Sequence, residues 1–146
     1  MTQPHTPYPA TQPSRFWADW TTRAFSQAQQ SGALEQTIAV LPVAATEQHG
    51  PHLPLHVDST LVDGVIAASL PHIAADVPAL FLPTQAVGLS PEHAAFAGTL
   101  SLKAETTIRL CTDIAESVAA SCVKKLVRLN SHGGQVGVMD IVARDL

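Results

Sequence analysis

Histidine and carboxylate side chains crowd into the segment TEQHGPHLPLHVD, residues 46–58. Glu47 and His49 are two residues apart, and Asp58 follows at the end of the segment. In extended backbone, side chains at positions i and i+2 point to the same side, so Glu47 and His49 can face one site. Carboxylate oxygens and imidazole nitrogens together bind Zn²⁺, Mn²⁺ and related ions such as Fe²⁺. The segment therefore predicts a divalent metal site, with Asp58 able to bridge two ions.

Short apolar segments alternate with amphipathic segments along the chain, which is typical of an α/β fold. Buried strands are predicted at 37–45, 79–87 and 124–130, and helices at 14–30, 59–75, 103–122 and from the SHGG turn to residue 146. Ser14, Asp58 and Gly32 are expected to begin or end helices as caps. This alternation favours βαβ units and a parallel sheet covered by helices. The Pro-, Thr- and Gln-rich residues 1–13 are predicted to be a disordered tail, which leaves one domain over 14–146.

A second histidine, His132, is predicted to reach the same site from a distant part of the chain. It follows the third predicted strand directly, as Glu47 follows the first. In open parallel sheets, ligands gather beyond the carboxyl ends of the strands, so both turns should lie at one edge. Gly133 and Gly134 follow His132, and their lack of side chains lets a ligand approach the backbone closely. We therefore expect His132 to join the ligand set.

The other histidines have weaker claims on a metal. His52 and His56 have the i, i+4 spacing of ligands on one helical turn, but the prolines between and beside them disfavour a helix there. We expect His52 to support the loop or a ligand, and His56 to face solvent or substrate. His93 lies in the loop after the second strand, where a role at the site and a solvated position are both open. His5 and His72 are expected to have no role in the site.

Composition excludes several classes of function. The formal net charge is −4 and the 8 Lys and Arg residues are scattered, so a nucleic-acid-binding surface is not expected. The apolar segments are shorter than the ~20 residues of a transmembrane helix, and the N-terminus lacks the pattern of a secretory signal. Cys111 and Cys122 lie in one predicted helix about 16 Å apart, too far for a disulfide. Unpaired cysteines favour a cytoplasmic location.

Three segments of the chain resemble the creatininase family of amidohydrolases. They are LPVAATEQHGPHLPLHVD (41–58), GLSPEHAAFAGTLSL (88–102) and LVRLNSHGGQ (126–135), within a match over about residues 36–146. The resemblance implies a creatininase-like three-layer α/β/α fold with a mainly parallel sheet. It also implies a two-metal site, commonly with Zn²⁺ or Mn²⁺, a homo-oligomer that is often a hexamer, and hydrolysis of small-molecule amides such as cyclic amides and formamides.

The resemblance also assigns roles to individual residues. It implies that Glu47 and His132 hold one metal, that His49 holds the other, and that Asp58 bridges both. Creatininase proper has a glutamate two residues after the histidine, which completes the second metal. Gly134 stands at that position here, which argues against creatinine as the substrate.

The chain is much shorter than the family pattern, so it resembles the N-terminal half of an incomplete fold. The other half of the pattern would carry an HAGxxETS-like segment that supplies a proton-shuttling histidine and a glutamate able to complete the second metal. Two hypotheses follow. The first is a metal-dependent amidohydrolase, in which metal-activated water attacks the amide and the Gly133 and Gly134 N–H groups steady the oxyanion. The general acid is unassigned in this hypothesis, with His93 and His52 as weak candidates. The second is a catalytically inactive metal-binding half-domain that acts through oligomerisation or a partner.

Overall fold

The computed structural model describes residues 14–145, so the tail predicted for residues 1–13 lies outside the described residues. The regular structure comprises strands β1 (Ile38–Val43), β2 (Ala79–Phe81) and β3 (Lys125–Asn130) and helices α1 (Thr22–Gln30), α2 (Ala33–Gln36), α3 (Val57–Ser69), α4 (Ala104–Ala120) and α5 (Val136–Asp145). Short 3₁₀ turns cover Trp17–Asp19, Leu70–His72, Pro91–His93 and Gly133–Gln135. Within residues 14–145, every helix is too short or too polar to span a membrane.

The three strands form one parallel sheet in the order β2-β1-β3. Ile38 at the start of β1 lies opposite Ala79 of β2 and Lys125 of β3, and Val43 at the end of β1 lies opposite Asn130. The carboxyl ends of β1 and β3 are therefore level with each other. The parallel sheet predicted from the alternating pattern is confirmed, and it brings the turns after β1 and β3 together.

Helices cover both faces of the sheet, because successive β1 side chains point to opposite sides. Leu41 and Val43 join a buried cluster with residues of α4 and α5, such as Val118 and Val142. On the opposite face, Val40 packs against a second cluster that contains residues of α3 and β2, among them Val62. The resulting order of α3, sheet, and α4 with α5 is the three-layer α/β/α architecture that was predicted.

The first helix starts later than predicted. The prediction of a helix over 14–30 with Ser14 as its cap is wrong, because α1 begins at Thr22 and the Thr21 side chain accepts the capping hydrogen bond from the Ala24 N–H at 3.1 Å. The backbone near Ser14 is used by the sheet instead, since the Phe81 N–H donates to the Arg15 carbonyl at 2.8 Å. Pairing along the open edge of β2 outweighs the local helical pattern there. The predicted helix stop at Gly32 is confirmed by its left-handed φ of 75°.

Two other predicted boundaries are corrected by the structure. Helix α3 begins at Val57, so Asp58 lies in its first turn and is not the cap, a position taken by His56. The same helix ends at Ser69, short of the predicted residue 75, and is followed by the 3₁₀ turn Leu70–His72, which contains Pro71. Strand β2 ends at Phe81, well before residue 87, because Pro83 has no N–H to donate to the sheet.

Candidate metal centre

Four side chains that the sequence singles out converge beyond the carboxyl ends of β1 and β3. The Nδ1 atom of His132 lies 3.2 Å from Glu47 Oε1 and 3.2 Å from Asp58 Oδ2. The Nε2 atom of His49 lies 3.2 Å from Asp58 Oδ1 and 4.0 Å from Glu47 Oε1. The structure thus brings together residues that are up to 85 positions apart in the chain, from 47 to 132.

Hydrogen bonds to backbone carbonyl groups hold the three contributing segments against one another. The Ser131 N–H donates to the Val43 carbonyl at 3.0 Å, which ties the turn after β3 to the end of β1. The Ser131 hydroxyl donates to the Asp58 carbonyl at 2.9 Å, which ties the same turn to α3. The loop between β1 and α3 is closed by the Glu47 N–H, which donates to the Leu55 carbonyl at 3.0 Å.

The two carboxylates and one imidazole are almost fully withdrawn from solvent. Glu47 and Asp58 are each 5% exposed and His132 is 3% exposed, while His49 is partly buried. Burial of two carboxylates side by side is costly unless positive charge compensates them. A divalent cation among these four side chains would supply that compensation.

The hydrogen bonds of the two rings determine which nitrogen faces the carboxylates. The Leu89 carbonyl can only accept, so His132 Nε2, at 2.9 Å, carries the hydrogen and leaves a lone pair on Nδ1. The Glu47 carbonyl fixes His49 in the same way, with Nδ1 as donor at 3.1 Å and Nε2 free. When these rings are neutral, as ligation requires, their lone pairs point at carboxylate oxygens, which is the arrangement of ligands around a metal ion.

Asp58 presents its two oxygens to different imidazoles, Oδ1 to His49 and Oδ2 to His132. Its Oδ2 atom is buried and has no hydrogen-bond donor among the described residues. A tetrahedral ion with bonds of about 2.0–2.1 Å keeps its ligand atoms about 3.3 Å apart, close to the 3.2 Å separations seen here. The residues therefore fit divalent metal, with Asp58 in the place of a bridging ligand. Metal ligation by the four residues stays a prediction.

Ser90 is a member of the site that no sequence pattern singled out. It is fully buried, and its hydroxyl donates to Glu47 Oε2 at 2.6 Å. The Ser90 Oγ atom also accepts a hydrogen bond from His132 Nε2 at 3.1 Å, so Ser90 orients two of the predicted ligands at once. A serine in a loop carries no local signal for such a role, because its partners lie more than 40 residues away in the chain.

Two polar residues that were also missed fix the turn that carries His132. Asn130 accepts from the His132 N–H at 3.2 Å and donates to the His132 carbonyl at 2.8 Å. Gln135 is 1% exposed and donates to Asn130 Oδ1 at 2.9 Å. Their place around the histidine in LNSHGGQ was the available signal, since buried amides near a ligand usually support it.

The structure separates the remaining histidines. His93 lies at the rim of the site, with Nε2 3.9 Å from Glu47 Oε1 and Nδ1 2.8 Å from Gln48 Nε2. His52, His56 and His72 are exposed, and His5 lies outside the described residues. Of the two positions left open for His93, the one at the site is therefore observed.

Comparisons with known proteins agree with this geometry. The family model described as Creatininase: Creatinine amidohydrolase matches residues 18–146. The chain is 40% identical over 106 residues to the mycofactocin precursor peptide peptidase of Mycobacterium tuberculosis, covering 68% of this chain and 42% of that protein. It is 31% identical over 100 residues to the creatinine amidohydrolase of Pseudomonas putida, covering 65% of this chain and 37% of that one. A crystal structure of creatinine amidohydrolase superposes with a TM-score of 0.74 at 28% identity, covering 92% of this chain and 52% of that chain. The chain thus spans about half the length of these proteins, or less.

Proposed function

The chain belongs to the creatininase family, and on this basis we propose that it acts as a metal-dependent hydrolase of an amide bond. The observation that supports the proposal is that Asp58 places Oδ1 3.2 Å from His49 Nε2 and Oδ2 3.2 Å from His132 Nδ1. A carboxylate that only paired with one histidine would not need this geometry. Two divalent ions sharing one carboxylate account for it.

Zn²⁺ and Mn²⁺ are the ions we propose, with Fe²⁺ as a further option, because the ligand set mixes nitrogen with carboxylate oxygen. Glu47 and His132 would hold one ion, His49 the other, and Asp58 both. When bound, such ions lower the pKa of a coordinated water towards ~7 and polarise a carbonyl oxygen. That chemistry supplies a hydroxide nucleophile at neutral pH.

The chain's own residues would position the substrate and move protons. The Gly133–Gln135 turn precedes α5, so the N–H groups of Gly133 and Gly134 can donate to the oxyanion that forms on the substrate carbonyl. His93 is the candidate in this chain for protonating the leaving nitrogen, since its ring is partly exposed and reaches within 3.9 Å of Glu47 Oε1. A positioned general acid contributes typically 10²–10⁴-fold to the rate.

The substrate class is an amide, and the comparisons widen it beyond the non-peptide amides expected from the sequence. One relative is named a peptide peptidase and is 40% identical, whereas the named creatinine amidohydrolase is 31% identical. We therefore propose that the bond cleaved lies either in a peptide or in a small cyclic amide or formamide. Creatinine itself is the less favoured substrate, because Gly134 stands where the family pattern of creatininase proper has a metal-binding glutamate.

The test combines bound metal with turnover. The chain loaded with Zn²⁺ or Mn²⁺ is assayed against a short peptide, a formamide and creatinine, beside His132→Ala and the exposed control His72→Ala. We expect His132→Ala to lower bound metal per chain, measured by elemental analysis, and to abolish turnover, while His72→Ala changes neither. Equal metal content in both variants would show that His132 is not a ligand.

A second candidate function is a metal-binding half-domain that works through assembly. It is favoured by large apolar side chains that are about half exposed on β3 and α5, namely Val127 at 49%, Val136 at 57% and Ile141 at 55%. Apolar surface of this kind usually marks an interface, and a homo-oligomer, such as the hexamer inferred from the family, would bury it. Light scattering after size exclusion, beside the turnover assay, separates the two functions. Metal-bound oligomers without turnover would favour assembly over catalysis.

A further inference from the structure

Glu92 brings a third carboxylate to the metal centre. It lies in the 3₁₀ turn Pro91–His93. Ser90, two residues before it, donates a hydrogen bond of 2.6 Å to Glu47, and His93, directly after it, approaches Glu47 to 3.9 Å. Glu92, Glu47 and His132 each place a ligand atom within 4.8 Å of the others. The turn thus holds the Glu92 carboxylate at the mouth of the site.

Gly134 provides the space that this carboxylate occupies. A Cβ atom added to Gly134 would overlap Glu92 Oε1 and would lie 2.8 Å from Glu92 Cδ. A Cβ atom added to the neighbouring Gly133 would meet nothing within 4 Å. Only one of the two adjacent glycines is therefore needed for room, and that room is filled by a carboxylate from another loop.

The four predicted ligands leave the site short of bonds. Glu47, His132 and His49 can each bind one ion and Asp58 can bind both, which makes five bonds for two ions. Catalytic zinc sites usually have three protein ligands for each ion, so within residues 14–145 the four predicted ligands fall one short. Two divalent ions also carry four positive charges, whereas Glu47 and Asp58 together supply only two negative charges. A third carboxylate would supply the missing ligand and would bring the negative charge closer to balance.

A simple ion pair between Glu92 and His132 does not account for this position. Glu92 Oε1 is 3.7 Å from His132 Nε2, and the hydrogen on Nε2 is already donated to the closer acceptors Leu89 O at 2.9 Å and Ser90 Oγ at 3.1 Å. The Glu92 carboxylate is thus available to a cation at the cluster, where the buried Asp58 Oδ2 also has no donor among the described residues. Resting on the proposed function, we propose that Glu92 binds metal in this site, through the space that Gly134 leaves free.

The first test removes the carboxylate. Glu92→Ala and Glu92→Gln are compared with Glu116→Gln, which changes an exposed glutamate on α4. Metal per chain is measured by elemental analysis after dialysis against Zn²⁺, affinity by competition with a chromophoric chelator, and the ligand field by the visible spectrum of the Co²⁺ form. We expect both Glu92 variants to lose one ion, or to bind the more weakly held ion at least tenfold less tightly, with an altered Co²⁺ spectrum. Glu116→Gln should match the unaltered chain.

The second test displaces the carboxylate without removing it. In Gly134→Ala the added methyl group pushes Glu92 out of its place, so metal affinity should fall as in Glu92→Ala. In Gly133→Ala the added methyl group meets nothing within 4 Å, so metal affinity should be unchanged. Because the added methyl group also lies 2.7 Å from His132 Nε2, the double variant Glu92→Ala/Gly134→Ala identifies the route. If the effect runs through Glu92, the double variant binds metal no more weakly than Glu92→Ala alone.

The outcomes separate this proposal from the function on which it rests. If the unaltered chain binds metal and the Glu92 variants bind it with the same number, affinity and Co²⁺ spectrum, the role of Glu92 is wrong and the proposed function stands. If the unaltered chain binds no divalent ion, the proposed function fails and the role of Glu92 fails with it. Circular dichroism of each variant shows that a loss of metal does not come from unfolding.

Discussion

Ser90 offers a sharp test of how the site is held, because its hydroxyl joins two predicted ligands. In Ser90→Ala, Glu47 Oε2 loses its donor at 2.6 Å, and His132 Nε2 loses one of its two acceptors but keeps Leu89 O. The cost of the lost bond to a charged group is about 1.5–3 kcal/mol. Since Ser90 is fully buried, water cannot replace the hydroxyl without rearrangement.

This energy is divided between folding and metal binding, because the bond exists before metal arrives and also orients the ligand. A factor of ten in affinity corresponds to about 1.36 kcal/mol. We therefore expect metal affinity to fall between about tenfold and about 100-fold, depending on how much of the lost energy belongs to metal binding. The rest appears as a lower free energy of unfolding in the metal-free chain. Both quantities are measurable on the same samples, by chelator competition and by urea titration.

The matched control is Ser117→Ala, which removes an exposed hydroxyl on α4 that bonds only to the Asp113 carbonyl among the described residues. We expect its metal affinity to equal that of the unaltered chain. If Ser90→Ala also binds metal within twofold of the unaltered chain, Glu47 and His132 do not depend on Ser90 for their orientation. The account of the site as a positioned ligand set would then be refuted.

Three further predictions concern stability, thiol chemistry and metal removal. Gly88→Ala should lower the free energy of unfolding by about 1–3 kcal/mol, because its Cβ would lie 2.5 Å from the Ala44 carbonyl oxygen. Gly64→Ala, within α3, has open space around the new Cβ and should raise the free energy of unfolding by about 0.5–1 kcal/mol. Urea titration measures both changes. Burial raises the pKa of the Cys111 thiol and outweighs the nearby guanidinium, which lowers it, so less thiolate forms at pH 8. A thiol reagent should therefore label the less buried Cys122 first. Faster labelling of Cys111, measured by mass spectrometry, would contradict this. Zn²⁺ at 100 times its dissociation constant should stabilise the fold by about 2.7 kcal/mol, so a chelator should lower the melting temperature of the metal-loaded chain. An unchanged melting temperature would show that folding and metal binding are not coupled.

Local patterns in the sequence were sufficient to predict the strands of the sheet and to select the four candidate ligands that converge at its edge. The β-branched segment of β1 predicts a buried strand because its side chains fit a sheet covered on both faces. Glu47, His49, Asp58 and His132 could be selected because their chemistry suits metal and their turns follow strands. Parallel strands end at one edge, so their meeting followed from topology alone.

The tertiary structure decided whatever depended on partners distant in the chain. The segment from Ser14 has a helical pattern, yet pairing with β2 makes its backbone extended at Phe16. Ser90 and Glu92 carry no local signal, because a loop residue acquires a role only from the groups that packing places around it. Composition and periodicity thus determined the scaffold and the donor types, while long-range hydrogen bonds determined which nitrogen of His132 faces the site and which further residues reach it.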